Sequence, residues 1–187
     1  MKKLGLVAVL VLAASVATFA QKKEVKQEAS VVKWTGKKIG GSHHGEIDVK
    51  SGYFEFKNDK IVGGEVVIDM SSIVNKDLDN EEYNQKLVGH LKSDDFFGIE
   101  KYPTSKFVVT KATKFENGKA SVTGKLTIKE NTEEVTFDVV KNGNTYNAEV
   151  EVDRSKFDVR YGSNSFFDNL GDKAINDIFT LDISLAL

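Results

Sequence analysis

The chain has 187 residues, a formal charge of −2, 40% hydrophobic and 29% charged residues, and no cysteine. That balance fits a soluble globular domain and offers no basic face for nucleic acid. The missing thiols exclude disulfides, thiolate metal sites, a cysteine nucleophile and a thioether lipid anchor.

In chain order, residues 1–20 read as a secretory leader. Lys2 and Lys3 precede an apolar run from Leu4 to Ala14, and small residues follow, with cleavage expected after Ala20. The run is short for a membrane span, which needs roughly 20 residues, so no stable span is expected after cleavage. Removing the two leader lysines takes the charge from −2 to −4. Residues 21–28 are charged and aperiodic and read as a solvated tail. Residues 29–187 are then one domain, 159 residues long and able to bury a real core.

Val31–Thr35, Glu46–Phe56 and Ile61–Met70 read as strands, with a turn at Asn58-Asp59. Between them, Gly40, Gly41 and Gly45 read as a flexible turn. Tyr83, Leu87 and Leu91 recur at helical spacing, so Glu81–Leu91 is expected to be a helix capped by Asp79 or Asn80. From about Ser105 to Asp153 the period is two. Ala120, Val122, Gly124, Leu126 and Ile128 share one face, as do Val135, Phe137 and Val139, and then Tyr146, Ala148, Val150 and Val152. Asn117-Gly118, Glu130-Asn131 and Asn142-Gly143 separate these strands, and Asn-Gly supplies the positive φ angles of tight hairpins. Residues 154–176 form a long excursion with a short helix expected at Gly171–Asn176. Phe179, Leu181, Ile183, Leu185 and Leu187 then alternate in a last strand.

The fold class is therefore all-β: about eight antiparallel strands, with one helix on the crossover between strands three and four. Consecutive hairpins favour an up-and-down barrel over a two-sheet sandwich. An eight-stranded barrel can be filled by side chains or hold one small ligand.

Few residues suggest catalysis. His43, His44 and Glu46 invite comparison with a cupin metal motif, but neighbours on a strand face opposite ways, and no histidine follows His90. There is no G-x-S-x-G elbow, and Asp94-Asp95 reads as a helix-exit loop. No metal or cofactor is implied. The phenylalanines carry more signal: Phe96-Phe97 and Phe166-Phe167 stand in polar loops, where exposure costs about 1.5–3 kcal/mol per side chain. They are expected to plug the barrel ends or to line the mouth of an apolar cavity.

The run GHLKSDDFFGIEKYPTSKF (89–107) resembles the signature of the YceI-like polyisoprenoid-binding proteins. Trp34-Thr35-Gly36, His44-Gly45, Gly63–Met70 with Ser72-Ile73, VTGKLTIKENTEEVTFDV (122–139) and FDVRYGSNSFFDNLGDKAINDIFTLDISL (157–185) stand in matching order. The resemblance implies a secreted or periplasmic, lipocalin-like barrel around an apolar tunnel for an isoprenoid or other long-chain lipid, without catalysis. The expected lining is Phe54, Phe56, Val66, Ile68, Phe96, Phe97, Phe107, Val109, Leu126, Phe137, Phe157, Phe166 and Phe167. His44, Asp95, Tyr102 and Arg160 are expected near a polar head group at the mouth. Many members read R-x-x-F-G-M where this chain has RSKFDVRYGS (154–163), which bears on local shape. The expected function is carriage or storage of the lipid, as a monomer or a homodimer. Two rivals remain: an enzyme on a lipid-like substrate with His44 or His90 as general base, and a structural or stress-response domain with a filled core.

Overall fold

A computed structural model describes residues 20–187, so the expected leader lies almost wholly outside the described residues. Nine strands follow in order: β1 (Gln21–Glu24), β2 (Val31–Lys38), β3 (Gly41–Phe56), β4 (Ile61–Asn75), β5 (Thr104–Ala112), β6 (Lys119–Ile128), β7 (Asn131–Asn142), β8 (Thr145–Asp153) and β9 (Ile178–Ala186). Helix α1 (Glu81–Lys92) joins β4 to β5.

Each of β2 to β9 pairs antiparallel with its sequence neighbours, and β9 returns to β2. The result is the expected closed eight-stranded meander, with α1 between its third and fourth strands. Alternation sets the inner face. In β6 the residues Ala120, Val122, Leu126 and Ile128 are buried, and Val150 and Val152 do the same in β8. Val66 faces inward in β4 while its neighbour Val67 is only half-buried. Register shifts in β3 between Glu46 and Asp48 and between Val49 and Ser51 bend the wall and reset the alternation.

Three expectations change. Residues 21–28 are not a free tail. β1 pairs with the far end of β3, from Gln21 opposite Phe56 to Glu24 opposite Tyr53, and Val25 is buried. Backbone pairing, which needs no apolar side chain, puts it there. Next, the turn after β2 is confined to Ile39-Gly40, with Gly40 at φ 83°, so Gly41 to Gly45 belong to β3. Last, the helix expected at Gly171–Asn176 is a single 3-10 turn, Gly171–Lys173, and a second such turn spans Arg154–Phe157.

Helix α1 begins where expected. The Asn80 side chain accepts from the Tyr83 amide at 3.1 Å, and Glu81 and Glu82 occupy the first turn. Buried Asn75 fixes the approach to it: its amide donates to the His44 carbonyl at 3.0 Å, and its side-chain oxygen accepts from the Leu78 amide at 3.0 Å.

Candidate functional site: an apolar bore

The barrel encloses a cavity of about 200 Å³. Its wall takes residues from every barrel strand, among them Trp34, Ile47, Phe54, Val66, Phe107, Leu126, Phe137, Val150 and Leu181. Polar groups are few: Ser105, Tyr146, Arg154 and Asn176.

Three large rings lie against glycines in the wall. A Cβ at Gly45 would come within 2.7 Å of the Trp34 ring, one at Gly64 within 2.6 Å of Phe54, and one at Gly124 within 2.4 Å of Phe107. Trp34 is the cross-strand partner of Gly45, and Phe54 of Gly64. Strand glycines commonly mark such close approaches. Here they let bulky rings lie against the wall, where a side chain would push them into the lumen. Trp34 also donates its indole N–H to the Val74 carbonyl at 3.1 Å.

The two ends differ. At the end formed by the β3–β4, β5–β6 and β7–β8 hairpins, the Tyr146 ring stands 5.6 Å from Phe56 and 5.9 Å from Phe115. Burial first, and then the Asp59 carboxylate, push the Tyr146 phenol above its ordinary pKa, so it stays neutral. At the opposite end lie α1, the Ile39-Gly40 turn and the 154–177 excursion. Gly36 lines the cavity there, and a Cβ built on it would meet no atom within 4 Å.

Arg154 organises that end. Its side chain is 2% exposed. The guanidinium donates to the carbonyls of Asn176 (3.1 Å), Val159 (2.8 Å), Tyr161 (2.8 Å) and Ile175 (3.0 Å). Asp177 Oδ1 lies 3.3 Å from Nη2; it is buried and outside hydrogen-bond geometry, so it acts as a counter-charge. Burial lowers the Arg154 pKa, while Asp177 and then Asp153 raise it. The Phe96 ring lies 5.6 Å from the guanidinium carbon. One side chain thus closes the excursion into a loop against the segment that follows α1.

Of the residues expected to line a cavity, Phe54, Val66, Ile68, Phe96, Phe97, Phe107, Leu126 and Phe137 are on its wall. Phe96 and Phe97 are buried with ring centres 4.9 Å apart. Phe56 stands beyond the wall against Tyr146. Val109 and Phe157 are buried in the core, off the lumen. Phe166 and Phe167 are a correction: at 39% and 48% exposed, they lie on the outside of the excursion. The short loop turns back through hydrogen bonds from both their amides to the Ser163 carbonyl, and this leaves the rings outside.

The expected mouth residues stand outside the cavity wall. His44 is 57% exposed, because Gly45 and Ile47 take the inward positions of β3. Asp95 is exposed, Arg160 pairs with Asp158 on the surface, and Tyr102 packs beside Gly98. None of the four lines the lumen. His43, expected to be solvated, is half-buried and holds Asp77 through Nδ1 at 2.8 Å. Asp77 also accepts from the His44 amide at 2.7 Å and from Asn75. Burial opposes its ionisation, but these hydrogen bonds prevail and hold its pKa below the ordinary carboxyl value. His90 sits between Tyr161, at 4.2 Å, and Phe96, at 5.8 Å. Among the described residues, no group of three or more His, Cys, Asp or Glu is placed to hold a metal ion.

The roles of Arg154 and of Gly36 on the cavity wall are not evident from the sequence. The alternation of Val32, Trp34 and Gly36 carried the signal for the second. The R-x-x-F-G-M departure resolves as well. Asp158 stands at φ 59°, the left-handed conformation that glycine favours and aspartate tolerates, so the backbone turn survives without glycine.

A YceI-like domain model matches residues 24–187, and the chain belongs to that family. The crystal structure of BcnA from Burkholderia cenocepacia is similar at 26% identity and TM-score 0.65, covering 87% of this chain and 99% of that one. A polyisoprenoid binding domain from Saccharophagus degradans shares the fold at 12% identity and TM-score 0.58, covering 87% and 95%. No curated protein is matched.

Proposed function

We propose that this YceI-like barrel binds a polyisoprenoid or similar long-chain amphiphile in its bore, for carriage or storage in the periplasm or outside the cell. The observation that carries the reading is the bore itself, an apolar space walled by all eight barrel strands and interrupted by few polar groups. A buried chain gains about 0.8 kcal/mol per CH₂-sized group, so affinity needs no covalent step. The polyisoprenoid binding domain from Saccharophagus degradans, of the same fold, supports this choice of ligand.

An enzyme using His44 or His90 finds less support. His44 points away from the lumen, and His90 is half-buried and flanked by two aromatic rings. A filled structural core is the stronger rival, because about 200 Å³ falls below the ~300–1,000 Å³ usual for drug-sized ligands. A thin chain needs less width than such ligands.

Solvent extraction of natively purified protein, followed by mass spectrometry, tests the reading. Co-purified isoprenoid or long-chain lipid, or uptake of an added polyprenol at one per chain, is expected. If repeated extraction and loading yield nothing, the filled-core reading prevails.

A further inference from the structure

We infer that the rings of Phe56, Phe115 and Tyr146 form a floor that sets the longest apolar chain the bore accepts. The inference rests on the lipid-binding reading above. Phe56 ends β3, Phe115 lies in the β5–β6 connection, and Tyr146 is the second residue of β8. In the closed barrel, β3 and β8 are separated by β2 and β9, and β8 is separated from β6 by β7. Ring contacts of 5.6 and 5.9 Å between such elements therefore cross the bore instead of running along its wall.

Tyr146 is the inner member, buried and on the cavity wall. Phe56 and Phe115 are half-buried behind it. Each has a lysine ammonium near its face: Lys23 at 5.7 Å from Phe56 and Lys141 at 5.9 Å from Phe115. A chain pushed past Tyr146 would part these rings and emerge beside two cations. The other end has no such obstruction at Gly36, where the lumen-facing position is empty of side chain. A chain entering there runs the length of the barrel and stops at Tyr146. Chain length is thereby selected by a side chain far from the entrance.

The test is a series of polyprenols of graded length, titrated into the delipidated full domain. For the wild type, affinity should rise about four-fold per additional buried CH₂-sized group and then break where the chain meets the floor. Tyr146→Ala should move the break to longer chains and tighten the longest prenols by on the order of ten-fold or more. Phe115→Leu, at a half-exposed position, should move the break in the same direction and decides the matter if Tyr146→Ala fails to fold. A break at the same length in wild type and folded variants overturns the floor while leaving the binding reading intact. No saturable binding of any length by the wild type overturns the binding reading, and the floor with it.

Discussion

The indole of Trp34 lies against Gly45, its partner across the β2–β3 ladder, so closely that a Cβ there would stand 2.7 Å from the ring and 1.8 Å from the Val74 carbonyl oxygen. The same carbonyl accepts the indole N–H. Gly45→Ala must therefore move backbone as well as ring. The cost is expected at or above the top of the ~1–3 kcal/mol typical of overpacking. Urea denaturation, followed by the emission of the single tryptophan, measures it.

Gly36 supplies a different test. Its φ is ordinary for a strand and its Cβ position is open, so Gly36→Leu should fold with unchanged or slightly higher stability. It should slow lipid loading or abolish it. Loading at the wild-type rate in a folded variant would place the entrance elsewhere.

Arg154→Met leaves four carbonyls and the Asp177 carboxylate without their cation. Breaking a buried pair in this way costs about 3–5 kcal/mol. Hydrogen exchange should show residues 158–177 losing protection first. Lysine should not restore it, since three donors on a point charge cannot reproduce a planar fork.

Asp77 predicts a pH dependence. Its folded pKa lies below the ordinary value of 3.8, because hydrogen bonds from the His44 amide, His43 and Asn75 outweigh burial. The stability it contributes is fully present above that value and is lost as pH falls through the folded pKa. Asp77→Asn should therefore be less stable than wild type at neutral pH. The gap should narrow below about pH 4, as read from denaturation midpoints across pH.

Asp158 holds a left-handed conformation at φ 59°, and its side chain makes a surface pair with Arg160. Asp158→Gly relieves that strain at the expense of a looser unfolded chain. A gain of up to about 1 kcal/mol in thermal unfolding is expected, with lipid binding unchanged.

The meander from β5 to β8 was legible in the sequence because β6, β7 and β8 alternate between turns with specific chemistry, whereas β5 carries a register shift at Val109–Lys111. Two kinds of information were not local. β1 has no apolar pattern, and it forms only because β3 offers an unpaired length. Similarly, Arg154 looks like any surface arginine until the excursion folds back and presents four carbonyls to it. The phenylalanine pairs read alike in sequence, yet Phe96-Phe97 reach the lumen and Phe166-Phe167 do not. His43 and His44 both come near Asp77, at 2.8 and 3.9 Å, a meeting that strand alternation alone does not give and that depends on the chain after β4 folding over this end of β3.

β3 outruns its neighbour. Its pairing with β2 stops at Val32 opposite Ile47, and β1 takes up the stretch from Tyr53 to Phe56. A chain lacking those four residues would present a bare ladder of amides and carbonyls, a template on which a second copy could add its own strand. The N-terminal segment thus covers that edge of β3. Proteolytic trimming at Val25 would uncover that edge to strand addition by a second copy.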